Sequence, residues 1–279
     1  MVNRIQTIPL LFVALVGCAV YAGSQNAAPP SLQQLFQELV QQHSSGHPPT
    51  YDDVLRVAHR AEETTPKDVT DAMPLIMAAL QSPDIDLHTD AALVIWGVGS
   101  RVDALELLRG QYQALAQLLL SPDERLQMTP IFLFNELRPK APPEVIPILL
   151  QFLGRPNRDA KAQAGAVGIL VRIAPQDPQV IASIRAYLSK PQDTSSRINT
   201  LNALRGMKTS DDELIAAVIT SLGDSDPGVR FTAVQVIPTM GPNALRQAEP
   251  ALRKMIANAE EAPGTQATAK QALEQVGSH

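Results

Sequence analysis

Apolar residues occur along this chain in short blocks separated by polar turns. Within a block they recur at helical spacing, as in the stripe formed by Leu214, Val218 and Leu222. No segment of the sequence alternates between apolar and polar residues for long enough to predict a strand. The pattern therefore predicts helices throughout.

A proline-marked turn recurs between these blocks at spacings of 39, 34, 35, 36 and 36 residues, which is too regular for a random placement of 23 prolines. An apolar helix precedes each mark, and a second helix follows, often opening with Asp or Ser as helix N-termini prefer. Three first helices also contain a proline, which we place in the first helical turn. Those three prolines are Pro74, Pro147 and Pro250, and the marks are Pro83, Pro122, Pro156, Pro191, Pro227 and Pro263.

Repetition at this period predicts an all-α fold in which helix pairs stack into a right-handed α-solenoid. Residues 31–64 add one more pair, whose glutamine-rich outer side suits the end of a solenoid. We expect about seven antiparallel helix pairs over residues 31–279.

The repeats resemble HEAT repeats, including the HEAT-like repeats named after phycobilisome lyases. The resemblance covers residues 71–277 and is strongest at residues 224–234, Asp-Ser-Asp-Pro-Gly-Val-Arg-Phe-Thr-Ala-Val. It implies a HEAT/armadillo-like solenoid whose second helices line the concave face. It also implies that Asp and Arg residues form ladders between repeats.

The first thirty residues read as an export signal. Arg4 gives a short positive start, and the apolar run over residues 8–17 has signal-peptide length, well below the roughly 20 residues that a transmembrane helix needs. Residues 1–17 are thus predicted to be a signal peptide, and residues 18–30 a flexible tether. We expect an exported protein of the cell envelope or periplasm.

The cleavage site has two interpretations. Residues 15–18, Leu-Val-Gly-Cys, resemble the bacterial lipobox, in which the Cys becomes the lipid-carrying N-terminus. We favour this lipoprotein interpretation, with Cys18 lipidated and anchored to a membrane. The alternative is ordinary cleavage after Val20-Tyr21-Ala22, which has small residues at the positions that the export peptidase requires. Cys18 would then be discarded with the signal peptide.

The net charge and the cysteine content of the chain limit the partners and cross-links that it can have. The formal net charge of -5 without a basic block argues against nucleic acid as a partner. The single cysteine excludes a disulfide framework in the folded part.

Candidate chemistry is sparse. His43, His47 and His59 lie near several carboxylates, but we interpret them as polar loop residues rather than metal ligands. The acidic run over residues 84–90 superficially resembles a calcium loop, yet Thr89 replaces the required Gly, so we interpret the run as helix capping. We predict no metal site, no cofactor and no catalytic residues.

Two features are candidates for binding. Trp96, the only tryptophan, is either a partner anchor or, as we favour, a core or half-buried residue. Arg125, Lys161, Arg197 and Arg230 occur early in successive second helices and would form a row on the concave face. Asp193/Arg197 and Asp226/Arg230 are spaced to pair within a helix. The row is either a structural ladder or, as a sharper hypothesis, a contact for an acidic partner.

The sequence favours a non-enzymatic, envelope-located scaffold that binds a protein partner on its concave surface. One alternative is a lyase-like enzyme or enzyme accessory acting in the periplasm. Another is an unanchored periplasmic structural module.

Overall fold

The computed structural model describes residues 29–137, 141–156, 159–190 and 192–276. Helices and short turns make up this part of the chain, and no strand occurs in it. The predicted signal peptide, the lipobox with Cys18 and nearly all of the tether lie outside the described residues. So does the mark at Pro191.

The helices alternate along the chain between two layers. The first-helix layer contains α1 (Leu32–Ser44), α3 (Pro66–Leu80), α6 (Tyr112–Gln117), α8 (Ile146–Gly154), α10 (Pro178–Leu188), α12 (Asp212–Thr220) and α14 (Pro242–Ala257). The second-helix layer contains α2 (Tyr51–Glu63), α4 (Ile85–Gly99), α7 (Glu124–Glu136), α9 (Ala160–Ile173), α11 (Thr194–Ala203), α13 (Pro227–Met240) and α15 (Pro263–Val276).

Each second helix contacts the second helix of the next pair, so the described residues form one stack of seven pairs. A short extra helix, α5 (Ala104–Leu107), interrupts the regular order between the second and third pairs. The all-α solenoid predicted from the proline marks is confirmed, and the five described marks all lie at the turn into a second helix.

Aspartate side chains cap the N-termini of five of the second helices. Asp84, Asp123, Asp159, Asp193 and Asp226 each accept a hydrogen bond from a backbone N–H in the first helical turn. Such a cap satisfies a donor that has no partner within the helix, and its negative charge suits the positive end of the helix dipole. The repeated turn thus fixes where each second helix begins.

One apolar core runs through the stack from Leu32 to Ala272. Glycines bring the second helices unusually close together. A Cβ atom on Gly97 of α4 would lie 2.4 Å from the carbonyl oxygen of Ala58 on α2. Consecutive second helices also pack more extensively than consecutive first helices.

Two of the three first-helix prolines are not where we expected them. Pro147 is the second residue of α8, but Pro74 and Pro250 lie inside α3 and α14. Both helices begin further upstream, because each already has a proline, Pro66 or Pro242, as its first residue.

Candidate functional site

A polar side chain braces the turn of five successive repeats. It stands four residues after the capping aspartate and donates to a backbone carbonyl at the end of the preceding first helix or in the turn. Those carbonyls have no partner within a helix, so the bond stabilises the turn. We call these residues turn braces; they are His88, Gln127, Gln163, Arg197 and Arg230.

His88 is a fully buried brace, at 1% exposure. Its Nδ1 lies 2.6 Å from the Leu80 carbonyl oxygen, which can only accept, so Nδ1 carries the proton. Its Nε2 then accepts from the Thr129 hydroxyl at 3.2 Å. The neutral ring is fully hydrogen-bonded, and burial lowers the pKa of His88 below its ordinary value. A neutral imidazole with both nitrogens engaged has a structural role.

Arg197 and Arg230 connect repeats. Arg197 Nη2 donates to Asp224 at 3.0 Å, and Arg230 Nε donates to Glu261 at 2.6 Å. Both acceptors stand ahead of the next second helix. The expected pairs with Asp193 and Asp226 within the helix are wrong, because those carboxylates cap the helices instead. The arginines form the kind of ladder that the HEAT resemblance implies.

Arg125 and Lys161 occupy a different register. Each stands two residues after its capping aspartate and is exposed, whereas Arg197 and Arg230 stand four residues after theirs. Arg125 Nη2 lies 2.6 Å from Asp123. The predicted row of four cations therefore divides into an exposed pair and a pair that braces turns.

His43 is not the loop residue that we expected. It lies in the last turn of α1 with a side chain only 5% exposed, and its Nε2 is 2.8 Å from Asp90 Oδ2. His47 and His59 have separate neighbours. No group of three His, Cys, Asp or Glu residues positioned to hold a metal ion occurs in the described ranges. In the acidic run over residues 84–90, Asp84 caps α4 and Asp90 contacts His43.

The outward side of the second-helix layer carries exposed side chains that take no part in the turn braces. Trp96 on α4 is 43% exposed, while its neighbours Ile95 and Val98 are buried. Trp96 is therefore half-buried, which is one of the two locations that we favoured. Sequence analysis missed Phe132 on α7, which is 55% exposed; it lies in the run Ile-Phe-Leu-Phe, where no pattern singles it out. The exposed residues on this side differ between helices in both chemistry and position: Trp96, Phe132, Lys161, Asn199 and Phe231.

None of the helices in the described part of the chain has the length and apolar character needed to cross a membrane.

No protein-family model matches the chain, and none of the curated proteins does. Solved structures match over most of its length. A HEAT-like repeats protein from the archaeon Thermococcus onnurineus NA1 aligns with a TM-score of 0.59 and 14% identity, over 90% of this chain and 99% of that one. An engineered protein aligns with a TM-score of 0.54 and 17% identity, over 88% of this chain and 68% of the other. The likeness shows the fold, a HEAT-like α-solenoid.

Proposed function

We propose that this chain is a non-catalytic repeat scaffold that holds a protein partner on the outward side of its second-helix layer. One observation carries the proposal: the framework of each repeat is constant and its outward residues vary. Caps and turn braces recur from α4 to α13, whereas the exposed residues change from aromatic to basic to amide. Repeat proteins bind macromolecules on surfaces of this kind.

The hydrogen-bonded polar side chains support the same proposal. His88 and Arg230 have hydrogen-bond partners in the framework, and His43 contacts Asp90. Groups held in this way position helices instead of facing a substrate.

Capture of the tagged chain from envelope fractions, followed by mass spectrometry, tests the proposal. A stoichiometric protein partner is expected. A recovered small molecule without a protein would overturn the scaffold and favour a lyase-like enzyme.

We further propose that the scaffold is exported and anchored through a lipid on Cys18. The support is the apolar run over residues 8–17 followed by Leu-Val-Gly-Cys. The variant Cys18→Ser should move the protein from the membrane pellet to the soluble periplasmic fraction. Unchanged tight attachment of the variant would contradict the lipid anchor.

A further inference from the structure

We propose that the outward face of α2, α4 and α7 binds a Lys/Arg-rich segment of the protein partner. This inference rests on the proposed function and names the chemistry of the partner. We call the surface the aromatic–acidic face and define it by His59, Glu62, Glu63, Trp96 and Phe132.

The helix seams make this face continuous. Gly97, next to Trp96, lies against Ala58, next to His59, so that no side chain separates α4 from α2 there. On the other side of α4, a Cβ atom on Gly99 would lie 2.5 Å from Cδ1 of Leu133, next to Phe132. Because α4 contacts α2 and α7 at these points, Trp96 lies close to the first contact and Phe132 close to the second, on one surface.

The two aromatic side chains are unusually exposed for residues with so much apolar area. Phe and Trp dominate buried cores and interfaces because of that area. Here they remain 55% and 43% exposed, while neighbours on the same helices, such as Phe134 and Ile95, are fully buried. About half of each of these side chains stays outside the core and is available to a partner.

The charge of the chain is uneven, and the aromatic–acidic face lies in its negative half. Residues 31–140 contain 8 Lys and Arg against 15 Asp and Glu, a net charge of -7, whereas residues 141–279 contain 14 against 13, a net charge of +1. Two cations of the negative half have a carboxylate close by. Arg56 lies 3.3 Å from Asp53, and Arg101 lies 2.7 Å from Asp103.

Glu62 and Glu63 at the end of α2 are exposed beside this surface, and Glu62 has His59 at 3.6 Å as its neighbour. A cationic side chain stacks well on an indole or phenyl ring, a contact that changes affinity by about two- to thirty-fold depending on its desolvation. Carboxylates on the neighbouring helix α2 attract the same cation and raise its rate of association. Aromatic rings within a negative field therefore favour Lys and Arg over apolar or acidic ligands.

Fluorescence titration of the full chain tests this inference, because Trp96 is the only tryptophan and its emission reports on the face itself. The probe is an octapeptide of alternating Arg and Ala, with a Glu and Ala octapeptide as its counterpart. We expect the basic peptide to change Trp96 emission, with an affinity that falls at least several-fold between 50 and 500 mM salt because the attraction is screened. The acidic peptide should produce no change.

Two variants with matched controls locate the binding. Phe132→Ala should weaken the basic peptide about five-fold or more, whereas Phe231→Ala, a 38% exposed aromatic residue of α13 in the positive half, should leave it unchanged. Glu62→Gln with Glu63→Gln should weaken binding, whereas Glu260→Gln with Glu274→Gln should not. Equal effects of test and control variants, or binding of the acidic peptide, would overturn the inference.

The same variants separate this inference from the proposed function. If a partner is captured from envelope fractions equally well by wild type and Phe132→Ala, the scaffold stands and the aromatic–acidic face is wrong. If no protein partner is captured, the scaffold proposal itself fails.

Discussion

His88 allows the turn-brace interpretation to be tested by a single substitution. In His88→Leu, the Leu80 carbonyl and the Thr129 hydroxyl lose their buried partner. Each unsatisfied buried group costs about 1–3 kcal/mol, so we expect a loss of about 2–6 kcal/mol in the free energy of unfolding. At about 2–4 °C per kcal/mol for a domain of this size, the melting temperature at pH 7.5 should fall by at least about 4 °C.

His88→Gln provides the matched control. Gln stands at the same register in α7 and α9, where its amide donates to the preceding turn. His88→Gln should therefore recover much of the stability that His88→Leu loses.

Comparison of the wild type with His88→Gln tests the protonation of His88. Because its pKa is lowered in the folded state, the unfolded chain binds the proton more tightly as the pH falls. Stability is then present above the ordinary histidine pKa of about 6.5 and is lost on acidification, by at most about 1.4 kcal/mol per pH unit.

Thermal unfolding followed by circular dichroism between pH 7.5 and 5.5 should show this loss in the wild type and a smaller one in His88→Gln. The reasoning is refuted if His88→Leu is as stable as the wild type. It is also refuted if His88→Gln keeps the same pH dependence.

Three further predictions concern the stack. Gly97→Ala should destabilise the protein by about 1–3 kcal/mol in chemical denaturation, because its methyl would meet the α2 backbone. Gly154→Ala, with open space around it, should be neutral or slightly stabilising. Equal effects of the two substitutions would contradict the close packing of second helices. Arg230→Met should cost about 3–5 kcal/mol by leaving the buried Glu261 unpaired. Because Arg230 lowers the pKa of Glu261, the pair's contribution should fade as the pH drops below about 4.3, so a variant whose acid unfolding matches the wild type would count against it. Asp226→Ala should cost about 0.5–2 kcal/mol in thermal unfolding through loss of the α13 cap, and an unchanged melting temperature would show that the cap is dispensable.

The architecture was predictable because it depends on local signals. Proline marks, capping residues such as Asp226 and apolar stripes repeat at fixed spacing, and each acts within a few residues of its position. The seven pairs follow from them. Pro74 shows the limit of this approach, since a second proline upstream moved the start of α3.

The roles of individual polar residues were harder to predict because they depend on neighbouring repeats. Arg230 has an acidic residue four positions away, but it contacts Glu261, 31 residues along the chain. Arg125 and Arg197 look equivalent until the capping residues fix the start of each helix. Phe132 and Phe134 stand two positions apart, and only packing against α9 and the core decides which one is buried.

Site-specific photo-crosslinking tests most directly whether the second-helix layer is the binding surface. A photoreactive residue would replace Asn199, exposed on α11, or Ala186, exposed on α10 of the first-helix layer. We predict that the partner captured from envelope fractions crosslinks from position 199 and not from position 186. Crosslinking from position 186 alone would contradict a scaffold that binds through its second helices.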